Sequence, residues 1–387
     1  MGVWLFVLAI LIVVMVHESG HFLVAKAFDF QATKFFVGFG PTLWSFRKGE
    51  TEYGIKALPL GGFVRITGMN PYEQVDERDR PRSYPNKPRW QRALVLLAGS
   101  ATHWVLVFVV LIPTLMFIGL PTRGGTNELY AVQTGSPADR AGLEPGDHIV
   151  GVGGSSTDSW GEIRDYIRDH GGETASFSVE RSGSRRTIDV PLWWAVYNRR
   201  GRPVDVARTK EGLSPRGDAE GAVGFLGVSP QAAYRTFGTT GAITRSAEQT
   251  WLYTKLSFRG IGEVFAQVFD GRLWNALAGQ GTRSPGEGPL GIVGASRIAD
   301  ETVDRGQYLA FIQLVASFTI FVGLMNLLPL PPLDGGHLAV VAYEAVTKRT
   351  VDVRKLIPLT AAVISFFVLL FVAVLYLDLA RPIKIPF

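Results

Sequence analysis

The sequence predicts a polytopic α-helical membrane protein of four transmembrane helices, with a membrane-associated β-loop on the cytoplasmic side and a folded αβ domain on the other. Three observations predict it. Apolar residues gather into four long charge-free blocks, Lys and Arg concentrate in two of the loops between them, and the longest connection carries regular αβ patterning. Bulk composition hides this segregation: 387 residues with a net charge of +5 and 47% apolar content would suit a soluble enzyme. The chain has no cysteine, which excludes disulfides, a thiol nucleophile, Cys-ligated zinc and iron–sulfur clusters. Any metal must be held by His, Asp or Glu. The basic balance, with a pI near 9.4, is not read as nucleic-acid binding, because the segregation into apolar blocks sets the class.

The first span is placed at residues 1–28, where an uncharged run leads into His17-Glu18-Ser19-Gly20-His21. It has no basic leader and no small-x-small cleavage site before that motif, so it reads as a span rather than a signal peptide. The second, residues 93–120, has His103 as its one titratable group. The third is placed at 308–337 and the fourth at 356–378. A bilayer core of about 30 Å needs roughly 20 apolar residues in a helix, and each block supplies them. Twelve Lys and Arg between residues 26 and 92, with Lys348, Arg349, Arg354 and Lys355, put those two loops in the cytoplasm. Both termini and the long connection are then extracytoplasmic, and the protein sits in the cell membrane.

The first cytoplasmic loop and linker, 29–92, contains two short alternating strands at 42–47 and 51–57 around Lys48-Gly49-Glu50, a β-hairpin pattern. Glycines at 38, 40, 61 and 62 flank it and permit another backbone to approach. The segment is either an edge that accepts an extended chain or a simple hairpin cap, and residues 71–92 read as a mobile linker. Residues 127–192 form the αβ module. Ser136 before Pro137 caps a one-turn helix that Gly142 stops, a strand covers 149–152, and Ile163, Tyr166, Ile167 and His170 share one helix face. The run SPADRAGLEPGDHIVGVGG resembles the core of a PDZ domain, a fold that binds peptides, including C-termini, by strand addition. A ligand-free β-rich spacer is the other reading, since no carboxylate-binding loop is recognisable. Residues 193–307 form an extracytoplasmic linker, disordered over 199–221, and then amphipathic helices. Ile243, Trp251, Leu252, Leu256, Ile261, Val264, Phe265, Val268 and Phe269 recur there at helical spacing, which suits interfacial helices or packing onto the αβ module.

Four residues apart, His17 and His21 differ by about 40° around a helix and share a face, with Glu18 within about 60° of His21. Two imidazoles can grip one Zn²⁺ while a carboxylate stays free to take a proton. A carboxylate midway along a span costs about 2.5–3.5 kcal/mol, so a partner is expected. A catalytic zinc needs a third protein ligand. Asn326-Leu-Leu-Pro-Leu-Pro-Pro-Leu-Asp334-Gly-Gly-His337 offers Asp334, at a similar depth because the first and third spans run in the same direction. His337 is the rival, past the break and in the basic loop.

HExxH in the first span, NxxPxPxxDG in a later one, a GFGP/LPLGGF β-loop and a PDZ-like insert together resemble the site-2 protease family of intramembrane zinc metalloproteases, most closely its actinobacterial branch. The resemblance implies that His17, His21 and Asp334 bind Zn²⁺ and Glu18 is the general base. It also implies that Gly61, Gly62, Phe63 and Val64, with Asn326, hold an unwound substrate. The substrates implied are single-span membrane regulators such as anti-sigma factors, cut after another protease has trimmed them. At the start of the second span the family has GPxxN, whereas here His103 replaces the amide, so His103 is expected either to support the site by a hydrogen bond or to compete for metal. The PDZ-like insert would exclude untrimmed substrates or bind a freshly exposed C-terminus. A metal-ion transporter built on the same His/Asp set and an inactive PDZ-bearing adaptor are the competing readings. A tag placed in residues 71–92 is expected to be cytoplasmic and one in 199–221 external; protease protection in the opposite sense overturns the orientation.

Overall fold

The computed structural model describes residues 1–70, 72–197, 203–213, 221–279 and 290–381, and its contacts divide the chain into two units, residues 117–237 and the remainder. In chain order the first unit opens with helix α1 (Gly2–Ala27), strands β1 (Ala32–Lys48) and β2 (Thr51–Ile66), and helix α2 (Arg89–Phe117). The strands are far longer than the short hairpin expected. Each bends, so that residues 34–37 of β1 pair with 52–55 on one side and 62–65 on the other, while 42–48 pair with 51–56. The ribbon is thus four segments wide, and the glycines allow the bends: Gly38 and Gly40 have φ of +86° and +84°, and a Cβ on Gly54 would lie 2.6 Å from the Trp44 carbonyl. Segment 62–66 is one edge of that ribbon.

Residues 72–92 are packed, not free. Main-chain bonds tie Tyr84 N–H to the Thr67 carbonyl and Gln31 N–H to the Arg82 carbonyl. Arg82 donates to both Glu50 oxygens and to Asp29. The Arg82 hydrogen bonds hold the Glu50 carboxyl below its ordinary range against the desolvation of burial, and Lys26 adds to the lowering. Four of the charges that looked like linker composition, Glu73, Arg82, Lys87 and Arg92, are engaged in pairs with residues outside the segment. Helix α2 likewise starts ahead of its apolar block because Arg92 turns inward, with the buried Glu344 carboxylate 2.9 Å away.

The second unit contains β3 (Leu120–Val132), α3 (Pro137–Ala141), β4 (His148–Val152), β5 (Ser155–Ser156), α4 (Trp160–Asp169), β6 (Thr174–Arg181), β7 (Ser184–Pro191), β8 (Trp193–Tyr197), β9 (Pro203–Ala207), β10 (Val223–Phe225) and β11 (Val228–Arg235). One sheet runs in the order β11-β3-β4-β6-β7, with β5 on β4, and a smaller one in the order β10-β8-β9. Ser136 accepts from Asp139 N–H and Gly142 ends α3 at φ +87°. Ile163 and Ile167 on α4 enter a core with Ile149, Phe177, Val179 and Val190. The module extends beyond 127–192, because β3 needs β11 as its partner more than 90 residues later. Part of the 199–221 segment is a strand: Val206 and Asp205 pair with Ala195 and Val196 of β8. Residues 198–202 and 214–220 of that segment lie outside the described residues.

The chain returns to the first unit with α5 (Thr239–Phe269), α6 (Arg272–Leu277), α7 (Ile292–Asp304), α8 (Tyr308–Asn326), α9 (Asp334–Thr347) and α10 (Ile357–Ala380). Helix α5 docks through a stripe of mostly small residues, Ala242, Ser246, Thr250, Tyr253, Ser257 and Ile261, while Trp251, Leu252, Leu256 and Phe269 are exposed. Tyr253 joins Val107 and Leu111 of α2 and Ala316 and Ile320 of α8. Small residues dock it because they let backbones come close, which leaves the large apolar side chains on the outer face. Helices α1, α2, α8 and α10 are long and apolar enough to cross a membrane. The expected third span, 308–337, is interrupted. Helix α8 ends at Asn326, and the prolines at 329, 331 and 332 lack the N–H groups a helix needs. The chain turns and starts α9 at Asp334, so His337 lies on a helix, not in a loop. Near its C-terminal end α10 is held to α7 by Asp378, which accepts from Gly294 N–H at 2.8 Å.

In the second unit Asp147 is fully buried and accepts from Arg181 Nε at 2.6 Å, Arg181 Nη2 at 2.8 Å and Glu144 N–H at 2.9 Å. Burial pushes its carboxyl up, but the Arg181 and Glu144 hydrogen bonds outweigh that and hold it below the ordinary range. A lowered carboxyl stabilises the fold above its unfolded pKa of about 3.9 and loses that contribution as pH falls through the native value. Asp147→Asn should therefore destabilise the module by roughly 1.5–3 kcal/mol at neutral pH, the usual worth of hydrogen bonds to a charged group. Melting curves should show the gap from wild type closing below about pH 4.

Candidate metal centre

Helix α1 carries His17 and His21 on its buried face and Glu18 beside them. His17 Nε2 and His21 Nε2 are 3.1 Å apart, and each lies 3.2 Å from Asp334 Oδ2. Asp334 reaches them as the first residue of α9, where the positive end of the helix favours a carboxylate. The tight turn before it depends on the following glycines: a Cβ on Gly335 would stand 2.2 Å from the Leu327 carbonyl oxygen.

The hydrogen bonds around these groups decide what can sit among them. His21 Nδ1 donates to the Val95 carbonyl of α2 at 2.7 Å, which leaves Nε2 as a lone pair. The other ring places Nδ1 3.0 Å from His103 Nε2, again away from the cluster. Asp334 Oδ2 is buried and has no hydrogen-bond partner. The His21 Nε2 lone pair, His17 Nε2 and a carboxylate oxygen without a hydrogen-bond partner thus converge, an arrangement that suits a cation and is costly otherwise. Zinc bonds of about 2.0–2.1 Å at tetrahedral angles put ligand atoms roughly 3.3 Å apart, close to the spacing found. Among the described residues, His17, His21 and Asp334 form the one group whose ligand atoms all lie within 4.8 Å of one another, and His337 is not part of it.

A cavity of about 220 Å³ opens onto this triangle, lined by Val14, His17, Glu18, His103, Val322, Asn326, Pro332, Leu333 and Asp334. Glu18 Oε2 accepts from Val64 N–H at 3.0 Å, so the 62–66 edge of the ribbon lies against the carboxylate. A Cβ on Gly62 would be 2.8 Å from Met15 Sδ and 3.5 Å from Glu18 Cγ, while Phe63 turns away and stacks on Phe36 at 5.7 Å. Gly61 adopts φ +149° next to the Phe39 ring. Sequence reasoning missed the Val95 carbonyl and Gly99. The first is a main-chain group that no residue pattern reveals. The second is an intolerant position, because a Cβ there would lie 2.2 Å from His21 Nε2.

The model of peptidase family M50 matches residues 5–372. The chain belongs to that family. It is 33% identical to the zinc metalloprotease Rip1 of Mycobacterium tuberculosis, with 99% of this chain and 98% of that protein covered. Identity to Rip1 of Mycolicibacterium smegmatis is 34% at the same coverage, and to a putative zinc metalloprotease of Brucella suis 33%, over 88% of this chain and 85% of that one. A segment equal to 21% of the chain matches 83% of the PDZ domain of an SdrC-like protein from Listeria monocytogenes at 25% identity and a TM-score of 0.17. This M50 peptidase is a membrane protein and an intramembrane, zinc-dependent metalloprotease.

The cleared space beside His21 yields a test. Gly99→Ala is expected to push the imidazole out of the triangle and lower the zinc bound per chain, with Gly260→Ala, which meets nothing within 4 Å, as the control. Full zinc in purified Gly99→Ala would show that the ring has room that the packing denies it.

Proposed function

We propose that His17, His21 and Asp334 are the zinc ligands of this peptidase, that Glu18 is its general base, and that residues Gly61–Val64 with Asn326 hold an unwound transmembrane segment of the substrate. The observation that carries the reading is the convergence of two imidazole nitrogens and a carboxylate oxygen beside a second carboxylate, Glu18, that stays outside the triangle. Bound there, Zn²⁺ supplies Lewis acidity that polarises a peptide carbonyl and acidifies water. Glu18 does the proton work. With Oε2 tied to Val64 N–H, its other oxygen is available to take a proton from water in the cavity and return it to the leaving amine.

A transmembrane helix hides its amides in internal hydrogen bonds, so it must be extended before it is cut. An edge of β-ribbon running past Glu18 supports that role, because added strands bond through their main chain. Asn326, at the last turn of α8 and on the cavity wall, supplies an amide for a strand's backbone groups. The exposed Phe39, Leu43, Trp44, Phe46, Ile55 and Leu58 on the ribbon support its association with the bilayer. We infer that the protein is multi-pass with extracytoplasmic termini and a site toward the cytoplasmic leaflet. Its substrates would be single-span membrane regulators such as anti-sigma factors, cut after a first protease. Strand β11, at the end of its sheet, supports capture of an extended peptide or a substrate C-terminus by the PDZ-like module.

Zinc content and cleavage of a transmembrane substrate, measured together, test the assignment. Glu18→Gln should keep its zinc and lose at least 10²-fold in cleavage rate, as loss of a general base does. His17→Ala, His21→Ala and Asp334→Ala should each lower zinc stoichiometry, and His337→Ala should not. Full zinc in Asp334→Ala removes the third ligand from the scheme.

A further inference from the structure

One face of α2 serves both histidines of α1. Val95, Gly99 and His103 stand four residues apart, so they lie in a row along that helix. The Val95 carbonyl takes the His21 Nδ1 proton, Gly99 makes room for that ring, and His103 Nε2 meets His17 Nδ1 at 3.0 Å. His103 is itself 1% exposed. It is clamped from the far side by α8, where a Cβ on Gly323 would lie 2.9 Å from the His103 Cβ.

The proton positions follow from what each nitrogen faces. His17 Nε2 looks at Asp334 Oδ2 and His21 Nε2, so as a ligand it must be a lone pair and the ring's proton must sit on Nδ1. That N–H donates to His103 Nε2, which therefore has to be the unprotonated nitrogen of its own ring. The His103 proton then lies on Nδ1. That nitrogen is buried and has no hydrogen-bond partner. A neutral imidazole in this state shows His17 an acceptor and nothing else. It cannot ligate zinc at the same time, because its only lone pair is already used.

We propose that His103 is a positioning residue which, held as the Nδ1–H tautomer, accepts the His17 Nδ1 proton and thereby aims the His17 Nε2 lone pair at the metal. This rests on the zinc-ligand reading above and answers which of two roles His103 plays: support, not competition for metal. Partners of this kind usually change metal affinity 10- to 100-fold when removed.

The test is chelator competition for zinc on the purified full-length protein, with thermal melts to check folding. His103→Leu should take up one zinc at saturation yet bind it roughly 10- to 100-fold more weakly. His103→Asn and His103→Gln, whose amide oxygens can accept from His17, should recover most of that loss. Wild-type affinity in His103→Leu, or amide variants as weak as Leu, would overturn the proposal, the latter by showing that ring shape matters and the hydrogen bond does not. X-ray absorption on the zinc-loaded wild type gives a reading that needs no variant. Two imidazoles in the coordination shell are expected, and three would make His103 a ligand. Failure of the triad itself would show separately, as undiminished zinc in His17→Ala with His103 intact.

Discussion

Two imidazole nitrogens and a carboxylate oxygen brought to one buried point form the constraint around which the membrane-embedded unit is arranged. A carboxylate and two imidazoles do not stay within 3.2 Å of one another in an apolar bundle unless something positive balances them. Each neighbour of the cluster contributes to keeping them there. The Val95 carbonyl and His103 take the Nδ1 sides of the two rings, and the start of α9 presents Asp334 from the third direction. A zinc ion held there would supply the charge that makes this geometry favourable, and its affinity would be tuned by groups that never touch it.

Close helix approach is the means by which α2 gets near enough. A Cβ on Gly20 of α1 would lie 2.5 Å from the Ala98 carbonyl, and Gly99 and Gly323 remove side chains where α2 faces His21 and where α8 faces His103. Small residues in apolar helices permit such contacts at little cost, since lipid offers no competing hydrophobic drive. The same economy governs α5, which docks through Ala and Ser and exposes Trp and Phe.

The ribbon and the interrupted span solve a second problem, that of putting irregular backbone near a membrane. Proline at 329, 331 and 332 ends α8 within protein, next to a polar cavity where unpaired carbonyls are tolerable. Strand edge 62–66 brings a main-chain donor to Glu18, and that donor, Val64 N–H, occupies one carboxylate oxygen. A hydrolytic site needs both features, water and an extended peptide, in a setting that discourages each.

By itself the sequence determined the features governed by local periodicity. It placed four apolar helices, put His17 and His21 on one face of α1, and identified the proline-broken turn before Asp334, because helix geometry, hydropathy and proline act over a few residues. Matters of distant pairing were decided by tertiary structure alone. The doubling of the ribbon to four segments, the pinning of residues 72–92 through Arg82 and Glu50, and the closure of β3 by β11 all join residues whose spacing carries no signal. His337 looked like loop because nothing nearby shows that a helix restarts at Asp334. The bonds from His21 to the Val95 carbonyl and from His17 to His103 span 74 and 86 residues, and only the packed bundle shows which nitrogen each ring turns toward Asp334.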